Sequence, residues 1–434
     1  MSETFPADRQ VVTAEAAFVM IPGYSQLEDS TIAYQAMTTL HDVMRATILE
    51  PSGGQLRVLS TLCGAVIVAP DSTGVHINRL IHEFFSVCLK RALPVRVAFT
   101  HGELEALVDV DGTTNFIGSP INVAARIAFN PANQSCLFHD SYVTHIGGSV
   151  VVEGAPGVFP DSAREITIQG KAHDAEAFRT RPAQQEIETA DKLDPRALSP
   201  PREPLAEVTG MALAYDLPRF SHGERDQLSK RFRSVVSTFQ GLRAEGLLPD
   251  ANAVGLCPGG DGGVLVAPIR KSDAMWAALE LIAALAVESD NKDPSIHVRS
   301  RVGLHYGVVP LYENAEGVRR PTGVVPLVAD AILAAAGEHE DAVIFTEPFV
   351  DCVTRGQPRK LEEGFKRLAP AESGAARGIA RFARRETAAP TPAAAPTPED
   401  ADLAQHVDRI LRPSSPWSDE RCEREPRKDA ERET

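Results

Sequence analysis

What this chain is short of narrows its role before any motif is read. Its six cysteines (Cys63, Cys88, Cys136, Cys257, Cys352, Cys422) are scattered with no CxxC pair, so no disulfide framework is spelled out. The amino terminus, MSETFPADRQ, has no apolar signal segment, and both features lead us to expect a reducing, cytoplasmic setting. Long apolar runs are missing too: the stretch Trp276 to Val287 is too short to span a bilayer and ends in charge. No direct membrane insertion is expected. Basic residues are outnumbered, 44 Lys and Arg against 59 Asp and Glu, for a formal charge of -15. Nucleic-acid backbones are bound by clustered Lys and Arg, so no nucleic-acid partner is expected.

What is present is a repeat. The segments AFVMIPGYS (from Ala17), GQLRVLSTLCGAVIVAP (from Gly54), RVAFTHGEL (from Arg96) and GSPINVAARI (from Gly118) return in order. They return as LAYDLPRFS (from Leu213), AVGLCPGGDGGVLVAP (from Ala253), RVGLHYGVV (from Arg301) and GVVPLVADAI (from Gly323). Repetition at this spacing means two copies of one domain. The copies are unequal. Asp216 and Asp261 of the second correspond to Met20 and Cys63 of the first, whereas Asn122 and Arg126 of the first correspond to Leu327 and Ala331 of the second.

A chain of 434 residues with 43% hydrophobic content can bury two cores. We expect an N-terminal arm over 1–13, a first domain over 14–180 and a linker over 181–206, polar and proline-bearing (RPAQQEIETADKLDPRALSPPREPL). The second domain is expected over 207–385, and 386–434, Pro/Ala-rich and then charged, reads as a disordered tail. Within the first domain the pattern gives buried strands at Ala17 to Ile21 and Ala65 to Val68, and helices near 30–49 and 78–91.

Asp216 sits in an apolar run, where an unpaired carboxylate is costly to bury, and a metal ion offsets that cost. Asp261 lies in GGDGG, a glycine-rich turn open to close approach by a ligand. Two strand-borne aspartates suit a pair of hard cations holding a triphosphate. Taken singly, each has a plainer reading: GGDGG as a hairpin, Asp216 as a strand-end residue, Asn122 and Arg126 as a helix-start residue and a solvated cation. The complementary loss argues against those readings, because a structural repeat has no reason to shed carboxylates in one half and a polar helix pair in the other.

These residues resemble the class III nucleotide cyclases, the adenylate and guanylate cyclase catalytic domains. LAYDLPRFS and GGDGGVLV look like the two metal motifs, RVGLHYG like the following strand, and GSPINVAARI like the helix segment that carries an NxxxR pair. The family's domains pair head to tail, one giving the aspartates and the other the Asn and Arg. The resemblance implies an α+β fold: two tandem ferredoxin-like or palm domains, each a mainly antiparallel sheet with helices on its outer face, joined as a pseudo-twofold intramolecular dimer. Covalent linkage gives each half a high effective concentration for the other, so a monomer suffices, although a homodimer also fits.

The resemblance also implies one composite site. Asp216 and Asp261, with the backbone of Leu217, would bind two Mg2+ or Mn2+ ions, and the Pro218 to Ser221 segment would meet phosphate. Asn122 would orient the ribose and Arg126 would offset charge on the α-phosphoryl group. Lys171, or Gln169 in another alignment, would meet the terminal phosphates. Where family members read the base with Lys and Asp (adenine) or Glu and Cys (guanine), this chain has Leu59 and Asn115. That pair fits neither purine rule. Pyrimidine cyclases of bacterial antiphage (Pycsar) systems also lack the purine pair, so the expected product is cyclic UMP or cyclic CMP, read by a downstream effector. The alternatives are a purine cyclase and an inactive nucleotide-binding sensor; a dinucleotide cyclase of the GGDEF kind leaves INVAARI unexplained.

Three other features are set aside. DVDGTTN (from Asp109) lacks the glycine and glutamate of a calcium loop, and reads as a hairpin. CLFHDSYVTH (from Cys136) has no zinc spacing and reads as a strand followed by a short helix. His101 and His305 read as structural histidines at matching places of the repeat.

Overall fold

The computed structural model describes residues 10–108, 113–129, 136–146, 164–170, 173–182, 193–194, 198, 203–216, 255–258, 262–267, 301–334, 343–349, 365–368 and 381–384. Strand β1 (Gln10–Met20) sets the plan of the first half, because its residues alternate between two faces and both faces are buried. Ala17 and Val19 belong to one core, and Ala14, Ala16, Phe18 and Met20 to another. A strand covered on both sides needs cover on both. It begins at Gln10, so four residues expected in the arm are strand, paired with β4.

Seven more strands follow: β2 (Arg57–Thr61), β3 (Gly64–Pro70), β4 (Arg96–Val108), β5 (Thr114–Ile117), β6 (Cys136–His139), β7 (Arg164–Gly170) and β8 (His173–Pro182). The sheet order is β2-β3-β1-β4-β6-β8-β7, with β5 hairpinned onto β4, and every pairing is antiparallel except β4 with β6. Helix α1 (Ser30–Met44) starts where Asp29 Oδ1 accepts the backbone N–H of Thr31 at 2.7 Å, and it continues into a π turn, Arg45–Leu49. It packs with α2 (Ile77–Lys90) and α4 (Asp140–His145) against the Ala17 and Val19 face. Helix α3 (Ser119–Phe129) takes the opposite face. Helices therefore lie on both faces of this sheet, not on the one outer face expected, because both residue sets of β1 are apolar.

The second half repeats the plan with β9 (Ala206–Asp216), β10 (Gly255–Pro258), β11 (Gly262–Ala267), β12 (Arg301–Glu313), β13 (Arg319–Pro321), β14 (Val343–Thr346), β15 (Phe365–Leu368) and β16 (Arg381–Arg384). Its order, β10-β11-β9-β12-β14-β16-β15 with β13 on β12, is the first order strand for strand. Helix α5 (Val324–Ala334) stands where α3 stands in the first half, packed on β9 and β12. The fold is α+β, and residues 1–386 cluster as one compact unit. The expected tail lies outside the described residues. Among those described, no helix is long and apolar enough to cross a membrane.

Polar groups stitch α1 and β2 to the far end of β12. Arg45 donates to the carbonyls of Asn314 (2.6 Å) and Ala315 (3.1 Å) and to the Glu313 carboxylate (2.9 Å). The Glu316 carboxylate accepts the backbone N–H of Val58, and Asn314 Nδ2 donates to Ser60 Oγ. His41, fully buried, accepts the Ala315 N–H on Nδ1, which leaves its proton on Nε2 facing the Tyr312 hydroxyl at 3.1 Å. Burial foremost, then the positive charges of Arg320 and Arg45, lowers its pKa to about 3. The ring is neutral at ordinary pH.

Candidate active site

Register converts the sequence repeat into equivalent positions. Met20 pairs with Gly64 on one side and Arg96 on the other; Asp216 pairs with Gly262 and Arg301. Met20 and Asp216 are thus one position of one fold. The residues before the paired glycines, Cys63 and Asp261, follow as the second position. A side chain at Gly64 would place its Cβ 2.0 Å from the Val19 carbonyl oxygen, so the backbone crossing at this corner needs glycine. Counting from their first residues, Ser119 of α3 matches Val324 of α5, which sets Asn122 against Leu327 and Arg126 against Ala331.

On α3 the residues buried against the sheet are Ile121, Ala124, Ile127 and Ala128. Asn122 and Arg126, one turn apart, fall on the other side of the helix and are half-buried. Val123 and Ala125 of the same helix join the core cluster that includes Met20 and, at its margin, Leu59 of β2. Leu59 therefore shares the α3 face of the sheet and is half-buried there. Asn115, on β5, is buried, and its Oδ1 accepts the Phe116 N–H at 2.7 Å. Neighbouring Thr113 accepts a hydrogen bond from Arg320 of the other half. The backbone of Asp216 ends β9; Asp261, Leu217, Lys171 and the Pro218 to Ser221 segment lie outside the described residues. Gln169 is in β7, at a register irregularity before Gly170.

The residues at the four counterpart positions lie in apolar surroundings. Leu327 is 2% exposed and joins a cluster that spans the two halves, with Cys63 and Ala331 packed at its margin; Met20 is buried in the cluster on the other face of β1. Phosphate oxygens placed among these groups would be stripped of water without a partner. Each of the four packs in or against an apolar cluster.

The matching of the two histidines changes, while the structural reading of His305 holds. Register pairs His101 with Glu15 but His305 with Ala212, so His305 corresponds to Thr100 and His101 to Tyr306. The two histidines are offset by one residue and lie on opposite sheet faces. His305 is buried, bonds Thr346 Oγ1 at 2.8 Å, and burial lowers its pKa to about 4, as a structural histidine should behave. His101 belongs to a group that the sequence did not reveal: Glu15, Asp71, His76, His101 and His145 converge on the α4 side of the first sheet. They come from four separate segments, β1, the connection from β3 to α2, β4 and α4, so no local spacing in the sequence could have announced the group.

No protein-family model and no curated protein matches the chain. Among solved structures it is similar to a class III adenylyl cyclase-like ATP-binding protein from Pseudomonas aeruginosa (13% identity, 81% of this chain and 88% of that one, TM-score 0.48). It is also similar to a guanylate cyclase domain from Catenaria anguillulae in complex with GTP (13%, 42% and 98%, TM-score 0.32). A third is an adenylate/guanylate cyclase/hydrolase from Silicibacter pomeroyi (16%, 41% and 97%, TM-score 0.31).

Proposed function

We propose that the chain is a nucleotide cyclase that converts a nucleoside triphosphate to a 3',5'-cyclic nucleotide and pyrophosphate at one composite site. The observation that carries this is the complementary inventory at equivalent positions. Asp216 and Asp261 stand where Met20 and Cys63 stand, and Asn122 and Arg126 stand where Leu327 and Ala331 stand. One half keeps the acidic set and the other keeps the polar helix pair. Contact between the equivalent strands β2 and β10 supports a pseudo-twofold arrangement of the halves, in which each sheet's site is completed by the other's helix.

Asp216 pairs with Gly262, the residue after Asp261 in the sequence, which supports a shared role for the two aspartates, and carboxylate oxygens suit Mg2+ or Mn2+. Asp216 and Asp261 would hold the metal, which would supply Lewis acidity toward the ribose 3'-hydroxyl and positive charge for the triphosphate. Asn122 orients the ribose so that the 3' oxygen lies in line with the α-phosphorus. Arg126, one turn on, faces the α-phosphoryl oxygens and offsets charge as the new P–O bond forms and the bond to pyrophosphate breaks. Lys171, with Gln169 as the other candidate, meets the terminal phosphates.

Base choice rests on Leu59 and Asn115. Leu59 offers no hydrogen bond, and Asn115, whose Oδ1 accepts its neighbour's N–H, is a neutral amide, so neither the Lys and Asp pair nor the Glu and Cys pair that reads a purine is present. This supports UTP or CTP, and with it a cyclic pyrimidine nucleotide as an antiphage signal. The test is incubation of the purified chain with Mn2+ and each of ATP, GTP, CTP and UTP, with products identified by mass and chromatography. Cyclic UMP or cyclic CMP is expected. Cyclic AMP or GMP would overturn the base assignment, and no cyclic product from any triphosphate would overturn the activity.

A further inference from the structure

We propose that the first half carries a second, separate metal site, for a divalent transition ion of the zinc class, built from Asp71, His101 and His145 with Glu15 beside them. The donor atoms of Asp71, His101 and His145 lie within 4.8 Å of one another, as do those of Glu15, His76 and His145. His101 Nε2 is 3.1 Å from the Asp71 carboxylate, and His145 Nε2 is 3.7 Å from it and 3.4 Å from Glu15 Oε1. Ligands bound at ~2.1 Å to a tetrahedral ion stand about 3.4 Å apart. The separations match a first coordination shell, which forms once one of the stacked rings of His101 and His145, 3.6 Å apart and 12° from parallel, turns to bring its lone pair onto the ion. Imidazole with carboxylate selects a zinc-class ion over magnesium, which favours oxygen alone and keeps its waters.

Two further observations favour a ligand over a chance cluster. Glu15 is 1% exposed and already fixed by the Ile77 N–H (2.8 Å), the Tyr142 hydroxyl (3.2 Å) and His76 Nδ1 (2.5 Å), the orienting shell that metal centres place behind their ligands. Finally, the fold does not require polar groups here. Glu15 and His101 face each other across β1 and β4, and the equivalent pair in the second half is Met211 and Tyr306.

The site is on the face of β1 opposite α3, so it is distinct from the proposed nucleotide metals and stands or falls independently of the cyclase reading. Asp71 is exposed, and His101 and His145 are partly open, which gives the ion a way in. Bound, it would tie β1, β4, the Asp71 turn and the end of α4 together.

The experiment is zinc binding to chelator-stripped full-length protein, by equilibrium dialysis with elemental analysis, in excess Mg2+ so that any hard-cation site is filled. Cobalt substitution, read by its visible absorption, reports histidine ligation. One zinc per chain is expected, retained in Asp261→Ala, and weakened by roughly a hundredfold or more in His101→Ala and in His145→Ala. Zinc should also raise the melting temperature of the wild type but not of His101→Ala, whose metal-free melt should match the wild type's. Two results would overturn the proposal: no stoichiometric zinc in the wild type, or equal affinity in both histidine variants. Loss of zinc in Asp261→Ala alone would assign it to the nucleotide site instead.

Discussion

Met20 and Asp216 occupy one register position, and that single comparison carries most of the functional reading. Asp261→Ala should abolish turnover while leaving the melting temperature near the wild-type value, measured by product formation and thermal melts side by side. His41 makes a separate statement about pH. Its folded pKa, about 3, lies below the ordinary 6.5, so the unfolded chain binds the extra proton first. The stability it contributes is complete above about pH 6.5 and drains away as pH falls toward 3. Unfolding midpoints taken across that range should decline, and His41→Gln should flatten the part of the decline that this residue causes.

At the scale of the element, the corner where β1 meets β3 tolerates no side chain. Gly64→Ala would push a Cβ into the Val19 carbonyl, and we expect a loss of about 1 to 3 kcal/mol in denaturant melts, as for other overpacked sites. Here, too, the sequence was most legible. The repeat in the text placed Met20 against Asp216 and Asn122 against Leu327, and strand register reproduces those pairs, because period-two strands and a shared helix start leave no slack. Helix α1 and the strand and short helix of CLFHDSYVTH were equally plain from pattern. The histidines were not. His101 and His305 look aligned in THGE and LHYG, yet a one-residue offset turns them to opposite faces. The Glu15, Asp71 and His145 grouping depends on which segments the sheet brings together, a long-range fact that local spacing does not carry.

Over the whole molecule, the proposed composite site would make the two halves a pair that has divided its labour. Leu327, Cys63 and Ala331 belong to or border a core that draws on both halves, so the helix positions that lack the polar pair contribute to cohesion. Restoring it should be harmful: Leu327→Asn, at a position 2% exposed, should cost about 2 to 4 kcal/mol and yield no second activity, as read by melts and by product formation. Arg45, spanning from α1 to the carbonyls of Asn314 and Ala315, belongs to the same cohesion. The composite site is the claim on which this division rests. It is tested most directly by steady-state turnover of Arg126→Ala set beside its triphosphate affinity. A fall in kcat of roughly a hundredfold or more with binding nearly unchanged is what a group acting on the α-phosphoryl charge predicts. A normal kcat would contradict the account.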